Sequence, residues 1–183
     1  MKDYRREHPQ FSLCGLNCLI CPMHLGGYCP GCGGGEGHQA CAFIRCSLEQ
    51  GKPEFCFQCS QFPCGRYEAA MEFDSFIPHS AMVRDQERAR ELGADTYLAR
   101  LAEKRAILDE LLADWNDGRK KSFYGTAVSL LDLADLYPAM EKLRSCVPAE
   151  TPIKEKAAAA FKELQAVARG SNITLKLNKK PKK

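Results

Sequence analysis

A chain of 183 residues with 26 basic and 23 acidic side chains, net +3, has room for one medium domain or a small module joined to a second, and excludes a large barrel with extra modules. Residues 1–64 are neutral and residues 65–175 carry a net −2, so the positive balance comes from Lys176, Lys179, Lys180, Lys182 and Lys183. No stretch approaches the roughly 20 apolar residues of a membrane span, and residues 1–10 hold no apolar run of a secretory signal, so a cytoplasmic, reducing location is expected.

The first dozen residues read as a mobile lead-in from which Phe11 and Leu13 reach a core. From Cys14 to Cys64 the chain then places ten of its eleven cysteines: Cys14, Cys18, Cys21, Cys29, Cys32, Cys41, Cys46, Cys56, Cys59 and Cys64. Three C-x-x-C turns, at 18–21, 29–32 and 56–59, have the spacing that aims two thiolates at one ion. In a reducing compartment such clusters serve as metal ligands rather than disulfides. The few apolar residues between them, Leu16, Ile20, Phe43, Ile44 and Phe55 among them, bury too little area to offset the ordering of the segment, so metal must contribute folding free energy. About two Zn2+ per chain are expected. The ligands divide either in the interleaved manner of RING- and MYND-type modules (Cys18, Cys21, Cys41 and Cys46 on one ion, Cys29, Cys32, Cys56 and Cys59 on the other) or sequentially. Cys14 and Cys64 could replace a member of either set or join His24 or His38 in a third site.

The alternative cofactor is an iron–sulfur cluster with a redox or electron-transfer role, on the triplet Cys14, Cys18 and Cys21 with a remote cysteine such as Cys64. Radical chemistry on the same triplet is disfavoured, because the chain downstream reads as helical rather than as alternating strands and helices. Gly33–Gly37 lacks the Lys-Ser/Thr of a phosphate loop and reads as a flexible spacer. Gln39–Glu49 reads as a short helix carrying Cys41 and Cys46, with Gly51 at its end. Each zinc on four thiolates carries a formal charge of about −2, which makes a loaded module acidic and disfavours a nucleic-acid partner.

The pattern Cys14-Gly-Leu-Asn-Cys18-x-x-Cys21-Pro22, with Cys29-x-Gly-Cys32, Cys41-x-x-Ile-Arg-Cys46 and Phe55-Cys56-x-x-Cys59-x-x-Phe-Pro-Cys64, resembles a family of cysteine-rich bacterial and archaeal proteins. That family is catalogued as a domain of unknown function and taken to bind zinc. The resemblance covers residues 11 to about 70 and extends loosely to 92–98 and 116–124. It implies a metal-binding role for the ten matched cysteines and no reaction.

After Cys64 the composition turns to helix formers. Gly65–Glu72 reads as a short amphipathic turn or two, and Ser80–Leu92 as a helix stopped by Gly93. A longer helix from Asp95 or Thr96 to about Trp115 has the stripe Leu98, Leu101, Leu108, Leu112 and Trp115. Ser122 reads as the N-cap of a helix to Leu131. The turn before it offers a small anion Arg119, Lys120, Lys121, Ser122, Tyr124 and free N–H groups. Asp132 reads as a cap for a helix begun or interrupted near Pro138, and Cys146 as a buried small apolar residue. Thr151-Pro152 opens a last helix through the alanine tract to Gly170, and Ile173–Leu177 alternates like a short strand.

The expected fold is therefore mostly α: an irregular, metal-stabilised cysteine module over 1–65, a helical domain over 66–175 with at most one short strand, and a basic, solvated tail over 176–183. No catalytic motif such as H-E-x-x-H or G-x-S-x-G is present. The reading leans away from an enzyme, toward a zinc-binding adaptor whose partner is a protein or a small anionic ligand, with no membrane association.

Overall fold

The computed structural model describes residues 3–36 and 41–181. Among them the fold is mostly α, with eight α-helices and no strand: α1 (Pro22–Leu25), α2 (Ala42–Glu49), α3 (Arg66–Met71), α4 (Met82–Leu92), α5 (Ala94–Asp114), α6 (Lys121–Leu130), α7 (Leu133–Cys146) and α8 (Ile153–Gly170). Contacts divide the chain into one unit of Met1–Leu101 with Leu177–Lys183, and a second of Ala102–Lys176. The sequence reading drew the module's edge at residue 65. The contact boundary lies later, within α5, because α3 and α4 pack with the cysteine segment.

In the first unit α2 begins at Cys41, whose backbone is extended at the N-cap, and buries Phe43, Ile44 and Ser47. Of the reading that began this helix at Gln39, that residue lies outside those described. Helix α4 buries Met82, Asp85, Gln86 and Ala89, the spacing of one helical face. Gly93 follows it with φ +82, a conformation that costs glycine nothing and lets α5 begin at once. Gly15 is needed for a different reason: its φ is +100, and a Cβ there would run into the Met82 carbonyl oxygen. The Cys14–Leu16 turn thus lies directly on the start of α4.

The described lead-in is held, contrary to the reading of it as mobile, whereas the described tail from Asn178 is exposed, as a solvated tail should be, and is tied down at Asn178 and Lys179. Tyr4, Phe11 and Leu13 are buried. Asn178 accepts a backbone hydrogen bond from Asp74 at 2.7 Å and donates its own N–H to the Asp74 carboxylate at 2.6 Å. Lys179 donates to the Ser75 carbonyl and lies over the Phe76 ring. Ile173–Leu177 forms no strand, since a lone segment of that length has no ladder partner.

In the second unit α7 and α8 pack against each other. The face of α8 is Ala157, Ala160, Leu164 and Ala168, and that of α7 includes Leu136, Ala139, Met140 and Leu143. Small residues on one helix facing larger ones on the other allow close packing. Here α5 presents Ile107, Leu108 and Leu111, and Trp115 follows its end, all buried, whereas the expected Leu112 is half-buried. Helix α7 begins after Asp132 and continues through Pro138. Cys146 ends it and is exposed rather than buried. No described helix is long and apolar enough to cross a membrane.

Candidate metal centre

The cysteine loops are too short of apolar residues to fix themselves, and buried polar side chains do much of that work. Arg6, whose side chain is 2% exposed, pairs with the Glu54 carboxylate at 3.2 Å. Its guanidinium also donates to the carbonyls of Glu54, Phe11 and Cys32 at 3.0, 2.8 and 3.3 Å. One side chain thereby joins three segments of the cysteine region to the lead-in. The Cys56 N–H bonds to the Leu13 carbonyl at 2.9 Å, and the Cys32 N–H to the Pro9 carbonyl at 2.9 Å.

Helix α4 supplies the second set of braces. Gln86 accepts from the Phe57 N–H at 2.9 Å and donates to the Leu13 carbonyl at 3.2 Å. Asp85 accepts from the Asn17 amide at 2.7 Å, and Asn17 accepts from the Tyr97 hydroxyl at 3.0 Å. Both α4 side chains are buried, where an unmade hydrogen bond is costly, so these networks specify how the loops lie.

All eleven cysteines are free thiols. The ten from Cys14 to Cys64 fall into two electrostatic neighbourhoods with a pair beside one of them. Burial pushes the Cys14 thiol up to about 12, and the charges of Cys32 and Cys41 add to the rise. Cys18 is raised by burial, then by Cys32 and Cys14, and less by Cys21. Cys32 is raised by burial, with the nearby Arg6 guanidinium working against the rise and Cys41 adding to it. On the other side, burial pushes Cys56 up to about 12 with Cys64, Cys46 and Cys59 contributing. Cys21 is raised by burial and its charged neighbour is Cys29.

The surroundings favour thiolates once a cation is near. Backbone N–H groups stabilise the charged form at four sulfurs: Leu16 for Cys14, Cys32 for Cys18, Met23 and His24 for Cys21, and Leu13 for Cys32. Such donors tune and orient metal-bound thiolates. A cavity of about 30 Å³ is lined by Cys46, Cys56, Cys59 and Cys64 together with Phe43, Phe62 and Tyr67. That space suits one ion or one water. Tyr67 is 3% exposed, and its hydroxyl has no partner other than the Cys56 sulfur, with Cys14 and Cys64 as further sulfur neighbours. As the side chains stand, no three described Cys, His, Asp or Glu residues converge closely enough to hold a metal ion. The donors are neighbours and soft, and fit zinc by their chemistry; ligation at about 2.3 Å requires their side chains to turn toward one point.

The remaining candidates are placed differently. His24 Nδ1 lies 3.0 Å from the Cys29 carbonyl oxygen, to which it donates as the Nδ1–H tautomer. His38 lies outside the described residues. In the turn offered to an anion, the chain's own oxygens take the N–H groups: Gly118 and Lys120 donate to Asn116 Oδ1 at 3.1 and 3.2 Å, and Arg119 to Asp117 Oδ1 at 3.0 Å. Lys120 is the N-cap, Lys121 opens α6 and Ser122 is already inside it. The Lys120 ammonium lies 4.3 Å from the Phe161 ring centre. Tyr124 is fully buried and donates to the Trp115 carbonyl, so its hydroxyl serves packing. Arg6, Asp85 and Gln86 are the residues that sequence reasoning missed, since isolated charged and amide side chains carry no periodic signal of burial. Comparisons with protein-family models, with curated proteins and with solved structures returned no match.

Proposed function

We propose that the first unit is a zinc module holding about two structural ions through its clustered cysteines, and that the protein acts as a binding or adaptor module rather than an enzyme. The observation that supports this reading is the gathering of buried thiols into compact neighbourhoods, with backbone N–H groups and the Arg6 guanidinium turned toward the sulfurs. Soft donors in a closed, all-protein arrangement are the hallmark of structural zinc, whereas catalytic zinc keeps an open position. An open concavity of about 430 Å³, lined by Asp3, Tyr4, Arg5, Lys52 and Glu54 among others, is the surface on this unit suited to a charged group of a protein or small anionic ligand.

Cobalt tests the ligation directly. The full chain, refolded anaerobically with Co2+ in place of other metals, should develop sulfur-to-metal charge-transfer bands and the visible bands of tetrahedral thiolate coordination, saturating at about two ions per chain. Pale octahedral spectra without charge transfer would contradict thiolate ligation.

A further inference from the structure

The division of the ligands follows from which thiols share a neighbourhood, and it departs from the C-x-x-C pairs. The cavity beside α2 collects Cys46, Cys56, Cys59 and Cys64, one from the helix and three from the following loop. Cys14 and Cys32 are buried in one apolar cluster with Tyr4, Leu13 and Ile44; Cys18, Cys41, Cys56 and Cys64 pack against it, of which Cys56 and Cys64 also line the cavity, while Cys14 has Cys32 and Cys41 as sulfur neighbours. Cys32 is turned inward, where the Leu13 N–H and the Arg6 guanidinium meet its sulfur, and Cys18 takes the Cys32 N–H. Cys29, three residues earlier, stays half-buried on the His24 side. Tyr67 belongs to the same apolar cluster, also lines the cavity, and its buried hydroxyl meets the Cys56 sulfur.

Resting on the metal reading above, we propose that Cys14, Cys18, Cys32 and Cys41 hold one ion and that Cys46, Cys56, Cys59 and Cys64 hold the second. Tyr67 stands between the two sets and donates its hydroxyl to a thiolate of the second. Cys21 and Cys29 belong to neither. A metal-bound thiolate is a stronger acceptor for the Tyr67 hydroxyl than a neutral thiol, since charge-assisted hydrogen bonds are the stronger ones. Each four-thiolate ion adds a formal charge of about −2, which the buried Arg6 beside Cys32 partly offsets.

Two zinc counts separate this division from both others. The double substitution Cys32→Ser with Cys41→Ser should lose one ion, because both belong to the first set; interleaved or sequential pairing has it lose two. Cys41→Ser with Cys46→Ser should lose both ions, where either alternative has it lose one. The reverse pattern overturns the division. Should a variant fail to fold, the unsubstituted full chain loaded with cadmium-113 gives the same answer by NMR. Two cadmium resonances are expected, one coupled to the β-protons of Cys14, Cys18, Cys32 and Cys41 and the other to those of Cys46, Cys56, Cys59 and Cys64. Tyr67→Phe should shift only the second resonance. Coupling of one cadmium to both Cys29 and Cys32 overturns the division while leaving the zinc reading intact. A chain that takes up neither zinc nor cadmium overturns both.

Discussion

Arg6 is the residue on which the cysteine loops converge. Its guanidinium holds the Phe11, Cys32 and Glu54 carbonyls and pairs with the Glu54 carboxylate, while its side chain is almost wholly buried. Removing such a group leaves several buried acceptors without a donor and a carboxylate without its cation. Arg6→Ala should cost about 2–4 kcal/mol in the first unit, read as a shift in the midpoint of urea unfolding at fixed zinc. Arg6→Lys should recover only part, because an ammonium cannot span carbonyls with a planar fork. A loss below about 0.5 kcal/mol would show that the carbonyls find other donors. None of this was legible in the sequence, where Arg6 sits among charged residues of a polar lead-in. The cysteines were legible because their spacing is itself the signal, whereas a buried arginine is revealed only by the segments that fold around it.

At the scale of the element, α4 joins helical and irregular structure. Its extent was readable from Ser80–Leu92 and the stop at Gly93, and the observed helix differs only in starting at Met82. Its buried face was not readable, because two of its four buried residues, Asp85 and Gln86, are polar and a hydrophobic pattern assigns them to solvent. The stripe of α5 shows a milder version of this effect: Leu111 is buried and Leu112 is not, a rotation of about 100° that the neighbouring leucines leave undetermined. Gln86→Leu keeps the volume near constant but leaves the Phe57 N–H unpaired and the Leu13 carbonyl with the Cys56 N–H as its remaining donor. It should destabilise the first unit by about 2–3 kcal/mol and loosen the Cys56–Cys59 turn, detected as faster amide exchange at Phe57. Unchanged exchange there would mean that the loop is held without α4. The turn read as an anion site shows a related effect in the N–H groups of Gly118, Arg119 and Lys120. Asn116 and Asp117 satisfy those three N–H groups locally, as Asx residues do, which composition and charge alone do not reveal.

At the scale of the whole molecule, the contact boundary within α5 sets how far the loss of metal should spread. Helices α3 and α4 share the apolar cluster of the cysteine loops through Tyr67 and Met82, so unfolding should not stop at residue 65. Strong chelation should make residues through about 101 protease-sensitive and remove the helical signal of α2, α3 and α4, while Ala102–Lys176 keeps its own core and its circular dichroism. Cleavage confined to residues before 65 would show that α3 and α4 stand without the metal. The broad fold class followed from composition and periodicity, yet the unit boundary did not, because it depends on which polar side chains cross between segments. The central claim is that zinc, held by thiolates, is part of the folded state of the first unit. The measurement that tests it most directly is native mass spectrometry of the full chain purified anaerobically, combined with metal analysis of the same sample. A colourless protein whose mass exceeds the polypeptide by about two zinc ions is expected. A brown protein with iron and inorganic sulfide, or a folded chain at the bare polypeptide mass, would contradict it.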